Sequence, residues 1–195
     1  MDIAKPSLDI IASQSAIIFP GIKARIYIPK KYNTTITRLL DSPGKFILAY
    51  PKEDEENTAY STASLVCIED FNLQSSGVWE LIIKAYERIH LLAHVNPMDL
   101  PLTTQDYQII NYVDEEFILQ EEEIEIKKAL QVKIKKNFPK MPHELYSELM
   151  ENFSISKFLH YLCFSSPKSK DAKIELLQYN SLYELYQKLI DGFMK

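Results

Sequence analysis

Glycine is scarce in this 195-residue chain: it occurs four times, at positions 21, 44, 77 and 192. No two of these lie close enough to build GxxxxGKS/T or GxGxxG, so neither of those phosphate-cradling loops can be present. Cysteine is scarcer, with Cys67 and Cys163 about half a chain apart in the apolar runs SLVCI and HYLCF. Such cysteines read as small buried hydrophobes rather than as a redox pair. Arginine occurs only at 25, 38 and 88, and 22 Lys plus Arg against 27 Asp plus Glu leave a net charge of −5. A mildly acidic chain lacks the phosphate-neutralising surplus on which nonspecific nucleic-acid binding rests. No apolar run approaches the ~20 residues of a membrane helix. The amino terminus, MDIAKPSLDII, has neither the basic nor the long apolar region of a secretory signal. Together these absences predict a cytoplasmic protein with no membrane partner. What is present, 46% hydrophobic and 25% charged residues, suits one generous globular domain or two small lobes and excludes wholesale disorder.

The two halves of the chain follow different periods. Up to Tyr112 the apolar segments are short and rich in β-branched and aromatic residues: 15–19, 24–28, 45–50, 63–68, 78–83 and 107–113. Turn formers separate most of them, among them Pro20-Gly21, Ser42-Pro43-Gly44, the acidic 53–57 stretch and Ser75-Ser76-Gly77. This pattern predicts a compact β-rich lobe. One short helix interrupts it at 34–41, with Asn33 or Thr34 as N-cap and Ile36, Leu39 and Leu40 facing inward. After about Glu116 the period becomes helical. A helix over 119–137 carries acids at its start and lysines at its end, matching the macrodipole. Further helices are predicted after Pro142, through Ile155–Cys163, from a Ser166-Pro167 start, and from Ser181, with Glu184 at capping-box spacing. The last carries the stripe Leu182, Leu185, Tyr186, Leu189, Ile190 and Phe193. The expected fold class is α+β, with a β-rich lobe over 1–116 followed by a helical-bundle lobe over 117–195.

Candidate chemistry is thin. His90 and His94 stand four apart, but ERIHLLAHV reads as the end of a strand, where that spacing assembles no metal site. His143 and His160 have no companion acid and nucleophile. The acidic runs at 53–56 and 114–125 lack the glycine and alternating ligands of a calcium loop and read as solvated surfaces. Serines 75–76 and 165–166 lack a nucleophile elbow. Lys23, Arg25, Lys30 and Lys31 interleave with Tyr27 and Tyr32 in a small basic-aromatic patch, read as surface lysines before RNA contacts. No metal and no cofactor is expected.

Segment by segment, the first half resembles the amino-terminal domain of the Lon (La) ATP-dependent protease family. The best match is Ala16-Ile17-Ile18-Phe19-Pro20-Gly21, similar to the family's β-branched run followed by Phe-Pro-Gly. Ile26-Tyr27-Ile28 falls where the family has Leu-Phe-Val, and Phe46-Ile47-Leu48-Ala49 where it has its next strand. Residues 60–68, YSTASLVCI, resemble the family's Tyr-x-x-Gly-Thr-x-Ala-x-Ile, and Gly77, Leu81-Ile82-Ile83 and Arg88 fit the close of the same lobe. The likeness extends through the helices, over roughly residues 8–192. Departures are the lead-in Ile11-Ala12-Ser13-Gln14-Ser15, which lacks the family's prolines and charges, and Ala63 and Ala85 in place of two glycines.

The resemblance implies a PUA-like, six-stranded pseudo-barrel with one short helix, trailed by an α-helical bundle. It also implies a substrate-recognition module that binds unfolded or partly folded polypeptides and has a tie to protein quality control. The chain shows neither the family's ATPase phosphate loop nor its Ser–Lys protease module, so no catalysis is expected. A protease partner or self-association are the further expectations. Lys30, Lys31, Tyr32 and Arg38, at the rim between strand and helix, are the expected binding residues. Two other readings stay open: an RNA- or small-ligand-binding PUA-like module, and an unrecognised hydrolase.

Overall fold

Alternating side chains set the sheet. In the computed structural model, which describes residues 7–13, 16–53, 58–104 and 106–192, seven strands join in one sheet. They are β1 (Leu8–Ala12), β2 (Lys23–Ile28), β3 (Lys45–Ala49), β4 (Thr62–Leu73), β5 (Trp79–Leu91), β6 (Leu102–Thr104) and β7 (Tyr107–Ile110). In β5, Trp79, Leu81, Ile83 and Ala85 are buried while Glu80, Ile82 and Lys84 are less so, the period-2 pattern of a strand with one face on the core. Phe46 to Ala49 of β3 are all buried, as expected of a central strand covered on both faces. The order is β2-β5-β4-β3-β1-β6. β5 is long enough to serve two partners on one side, β2 along 79–84 and β7 along 88–91. β1 and β3 run parallel, with β2 and helix α1 (Asn33–Leu40) between them in the chain.

The expected apolar segment 15–19 is not a strand over its described residues 16–19; Ser15 lies outside the described residues. Ile17, Ile18 and Phe19 are buried all the same. A closed ring of side-chain hydrogen bonds replaces the ladder. Ile18 N–H donates to Tyr50 Oη (3.0 Å), Tyr50 donates to Ser64 Oγ (2.8 Å), and Ser64 donates back to the Ile18 carbonyl (2.6 Å). With its backbone groups met this way, Ile18 has no need of a neighbouring strand. Burial pushes the Tyr50 hydroxyl up to about 12, which keeps it a neutral member of that ring. The six expected strand segments thus become seven strands: 15–19 drops out, while β1 and the three-residue β6 are added.

The helical half comprises α2 (Gln120–Asn137), α3 (His143–Glu151), α4 (Ile155–Ser165), α5 (Lys170–Gln178) and α6 (Leu182–Gly192). Ile126, Leu130 and Ile134 of α2, Phe158, Leu159 and Leu162 of α4, and Leu182, Leu185 and Leu189 of α6 join the same buried cluster as the sheet's inner face. The fold class is α+β, strands first and helices after. Phe193, expected on the last stripe, and residues 54–57 of the acidic loop lie outside the described residues.

Several caps differ from expectation. At α1 the N-cap position is Tyr32, without a side-chain cap, because Asn33 Oδ1 accepts from Trp79 Nε1 instead (3.0 Å). α5 starts after Ser169, whose hydroxyl accepts from Ala172 N–H (3.3 Å). Ser166 ends α4, donating to the Cys163 carbonyl (2.8 Å). Both thiols are free; Cys163 is buried, and Cys67 is half-buried with Sγ 3.1 Å from the Pro43 carbonyl.

Candidate functional site

Two places concentrate polar or exposed chemistry, one at each end of the β4–β5 hairpin. At the base, a polar seam fastens the helices to the sheet. Residues 19–22 form a turn closed by Ile22 N–H to the Phe19 carbonyl (3.1 Å), with Pro20 at its second position and Gly21 at φ +78°. That left-handed backbone favours glycine. The turn presents the Pro20 carbonyl to α4, where His160 Nδ1 donates to it (3.1 Å). Nδ1 therefore carries the proton, and Nε2 accepts from the Tyr112 hydroxyl (2.6 Å). Burial, reinforced by the nearby Arg88 charge, holds His160 down at about 3, so the ring is neutral in this network.

Arg88 completes the seam. Only 2% exposed, it donates to the Leu177 and Ile110 carbonyls (3.2 Å each) and to the Tyr179 carbonyl, with its guanidinium 3.8 Å from the Tyr112 ring centroid. One side chain of β5 thereby satisfies carbonyls from the end of α5, the residue after it and β7. Asp114 does similar work for α6. Its carboxylate accepts from the Ser181 hydroxyl (2.7 Å), Leu182 N–H (2.8 Å) and Tyr183 N–H (3.1 Å). Burial opposes ionisation there, but those hydrogen bonds outweigh it and hold Asp114 below its ordinary value. Ser181 keeps its expected capping role, accepting from Glu184 N–H (3.1 Å). A cleft of about 240 Å³ opens beside the seam. Arg88 and His160 reach its wall with their polar atoms already engaged in the fold.

The other end of the hairpin is open. Gln74 to Gly77 form its turn, with Gly77 N–H on the Gln74 carbonyl (2.8 Å) and Gly77 at φ +79°. Phe71 and Leu73 are each 51% exposed, beside a Trp79 that is 8% exposed. The Phe71 and Trp79 rings lie 6.0 Å apart at 60°. Lys30 runs its aliphatic stem along Gly77, so close that a side chain at 77 would displace it. This places the expected rim residues. Lys30 and Lys31 are exposed at the open end, with Lys31 Nζ 4.9 Å from the Tyr32 ring centroid. Tyr32 is 1% exposed, and its hydroxyl accepts from Ala12 N–H (3.3 Å), which ties the α1 start to β1. Arg38 pairs with Asp9 of β1. The four expected residues therefore divide: Lys30, Lys31 and Arg38 are exposed, Arg38 while pairing with Asp9, whereas Tyr32 is buried against β1.

Sequence reading missed Phe71, Leu73 and Trp79, whose grouping depends on how far β4 outruns β3, and it missed His160 and Asp114, whose partners lie 140 and 67 residues away. Among the described residues no three His, Cys, Asp or Glu side chains gather as a metal site. His90 lies within β5, opposite Gln108 of β7. No helix of the described chain is long and apolar enough to cross a membrane.

Comparison with known proteins agrees with this architecture. None of the curated proteins matches the chain. The solved N-terminal domain of the Mycobacterium avium complex Lon protease superposes with a TM-score of 0.68 at 15% identity, covering 97% of this chain and 99% of that one. The crystal structure of a Lon N-terminal domain protein from Xanthomonas campestris gives 0.67 at 16%, covering 95% and 98%. At such identities the likeness shows the fold. The family match is made on sequence: residues 7–192 fit the ATP-dependent protease La (LON) substrate-binding domain. From the Phe-Pro-Gly turn to the last helix, this chain belongs to that family.

Proposed function

We propose that this protein is a non-catalytic recognition module for unfolded or partly folded polypeptides, acting in the cytoplasm in protein quality control. The observation that carries the reading is the open end of the β4–β5 hairpin. There Phe71 and Leu73 are half-exposed on an otherwise buried sheet face, and the exposed Lys30 lies along the Gly77 turn. Exposed apolar side chains with a cation at their border suit a client with exposed hydrophobic segments. An extended client gives up its own ordering entropy on binding, so micromolar affinity is expected, about −8 kcal/mol. Family membership over residues 7–192 supports the same reading.

The test is a titration of a permanently unfolded, reduced and carboxymethylated protein, and of a single-stranded RNA, at two salt concentrations. Client binding that survives moderate salt is the expected result, since an acidic module and a mixed-charge client have little net attraction to screen. RNA retention that collapses with salt, without client binding, overturns the reading in favour of a nucleic-acid module.

A further inference from the structure

The β4 strand runs past its neighbour. β3 pairs with it only as far as Lys45 opposite Cys67, while β5 accompanies it to Leu73 opposite Trp79. The next outward contact is Ile68 N–H on the Gly44 carbonyl (3.0 Å). From Glu69 to Leu73, β4 is therefore an edge on that side.

The hydrogen-bond phase of this edge is fixed from two directions. Gln74 N–H bonds the Val78 carbonyl (3.0 Å), which makes 74 and 78 a bonded pair. On the far side of β5, the N–H and carbonyl of Ala85 bond Ile22 and Gly21, so odd-numbered residues of β5 face β2 and even-numbered ones face β4. With Asn72 opposite Glu80 and Asp70 opposite Ile82, residues 72 and 70 are tied to β5. Phe71 and Leu73 then direct their backbone groups outward. The Phe71 N–H is met by its neighbour's Asp70 Oδ1 (2.8 Å), a local cover on the edge.

The side chains at this edge are as one-sided as the backbone. Phe71 and Leu73 stand opposite Leu81 and Trp79, on the core face. Beside Phe71 a recess of about 170 Å³, walled by Leu39, Leu40, Pro43 and Ile68 together with Ser42 and Glu69, opens between β4 and the end of α1. Glu69 on its wall is paired with Lys23 (2.6 Å), whereas exposed Asp41 and Asp70, chain neighbours of the lining residues Ser42 and Phe71, make no ion pair among the described residues.

We propose that β4 residues 69–73 accept an extended client segment as an added strand. An inward-facing apolar side chain of the client fills the recess, and basic residues flanking it lie against Asp41 and, on the opposite face of the sheet, Asp70. This rests on the polypeptide-recognition reading above and specifies its mode. Outward N–H and C=O groups in strand phase are complemented by another extended backbone, and a neighbouring pocket then selects alternate side chains. The unpaired acids favour a basic client segment over a second copy of this chain, which would bring its own Asp41 and Asp70.

The experiment uses the full chain and a fluorescein-labelled peptide of alternating leucine and threonine with two lysines at each end. The proposal expects the peptide to bind and to slow amide exchange at Leu73. N-methylating one alternate set of peptide nitrogens should weaken binding about tenfold or more, while methylating the other set leaves it within about twofold. Leu73→Pro, which removes an outward N–H, should weaken the peptide similarly. Equal effects of the two methylated sets, or exchange at 69–73 unchanged on binding, overturn strand addition but leave polypeptide recognition standing. Exchange protection at 69–73 that rises with protein concentration alone assigns the edge to a second copy and also overturns it. Failure of both this peptide and the unfolded protein to bind removes the recognition reading itself.

Discussion

The two ends of the β4–β5 hairpin share one backbone but differ in how completely they are enclosed. At the base, near Arg88, β5 is flanked by β4 and β7, and side chains from the sheet meet carbonyls from the helices and from β7. At the tip β4 has a neighbour on one side only, and two large apolar side chains are half in water. Polar groups enclosed by protein must find partners, so the base is committed to structure, whereas the tip can change side chains at little cost to stability. A recognition surface is best placed where binding and folding draw on separate residues.

The sharpest way to break this comparison is Arg88→Met. It leaves the Leu177, Tyr179 and Ile110 carbonyls without their donor in a buried site. The expected loss is about 3 kcal/mol, read as a lower urea midpoint at unchanged slope. A loss below about 1 kcal/mol would put base and tip on the same footing.

Acid should open the same end. The folded His160 stays neutral to about 3, whereas the unfolded imidazole protonates near its ordinary value of 6.5. The unfolded state therefore binds more protons between these values. Its contribution to stability is complete above pH 6.5 and declines as pH falls toward 3, by at most about 1.4 kcal/mol per pH unit. Urea unfolding at pH 7.5 and 4.5 measures this slope, and His160→Gln should flatten it while lowering stability at neutral pH.

Asp114→Ala is expected to cost about 1 kcal/mol, the usual worth of a helix cap, seen as a lower thermal midpoint and faster amide exchange at Leu182 and Tyr183. Because Asp114 is held below its ordinary value of 3.8, its contribution is present above that value and is lost as pH falls below it. The variant should therefore converge on the parent protein in strong acid. The smallest effect belongs to the tip. Phe71→Ser and Leu73→Ser should each move stability by about 0.5 kcal/mol or less while reducing retention of an unfolded client. A large stability loss there would show that the exposed pair is a structural element rather than a spare surface.

Much of the fold could be read along the chain because local patterns decide it. Alternation in Trp79–Ala85, the Asn33–Leu40 amphipathic turn pair, and the apolar stripes of α2, α4 and α6 each announce their element within a few residues. The structure departs from the local pattern where distant groups replace local ones. Residues 16–19 have strand-like composition, but Tyr50 and Ser64 take up the Ile18 backbone, and Asn33 gives its side chain to Trp79 rather than to its own helix. Tyr32 has the position of a rim residue, yet it is buried with its hydroxyl on Ala12 N–H, whereas Arg38 stays exposed while pairing with Asp9.

The change from a strand-rich half to a helical half, the Pro20-Gly21 turn and the family are legible in the chain, because periodicity, turn chemistry and motif spacing are short-range properties. Which polar side chains become seam and which apolar ones stay exposed is set by packing. Pro20 meets His160, and Asp114 meets Ser181, only after the helices pack on the sheet. Phe71 and Leu73 become an edge only because β3 stops pairing at Lys45 while β5 continues to Trp79. Burial and strand ends depend on what lies alongside in space, and a linear pattern carries that information only weakly.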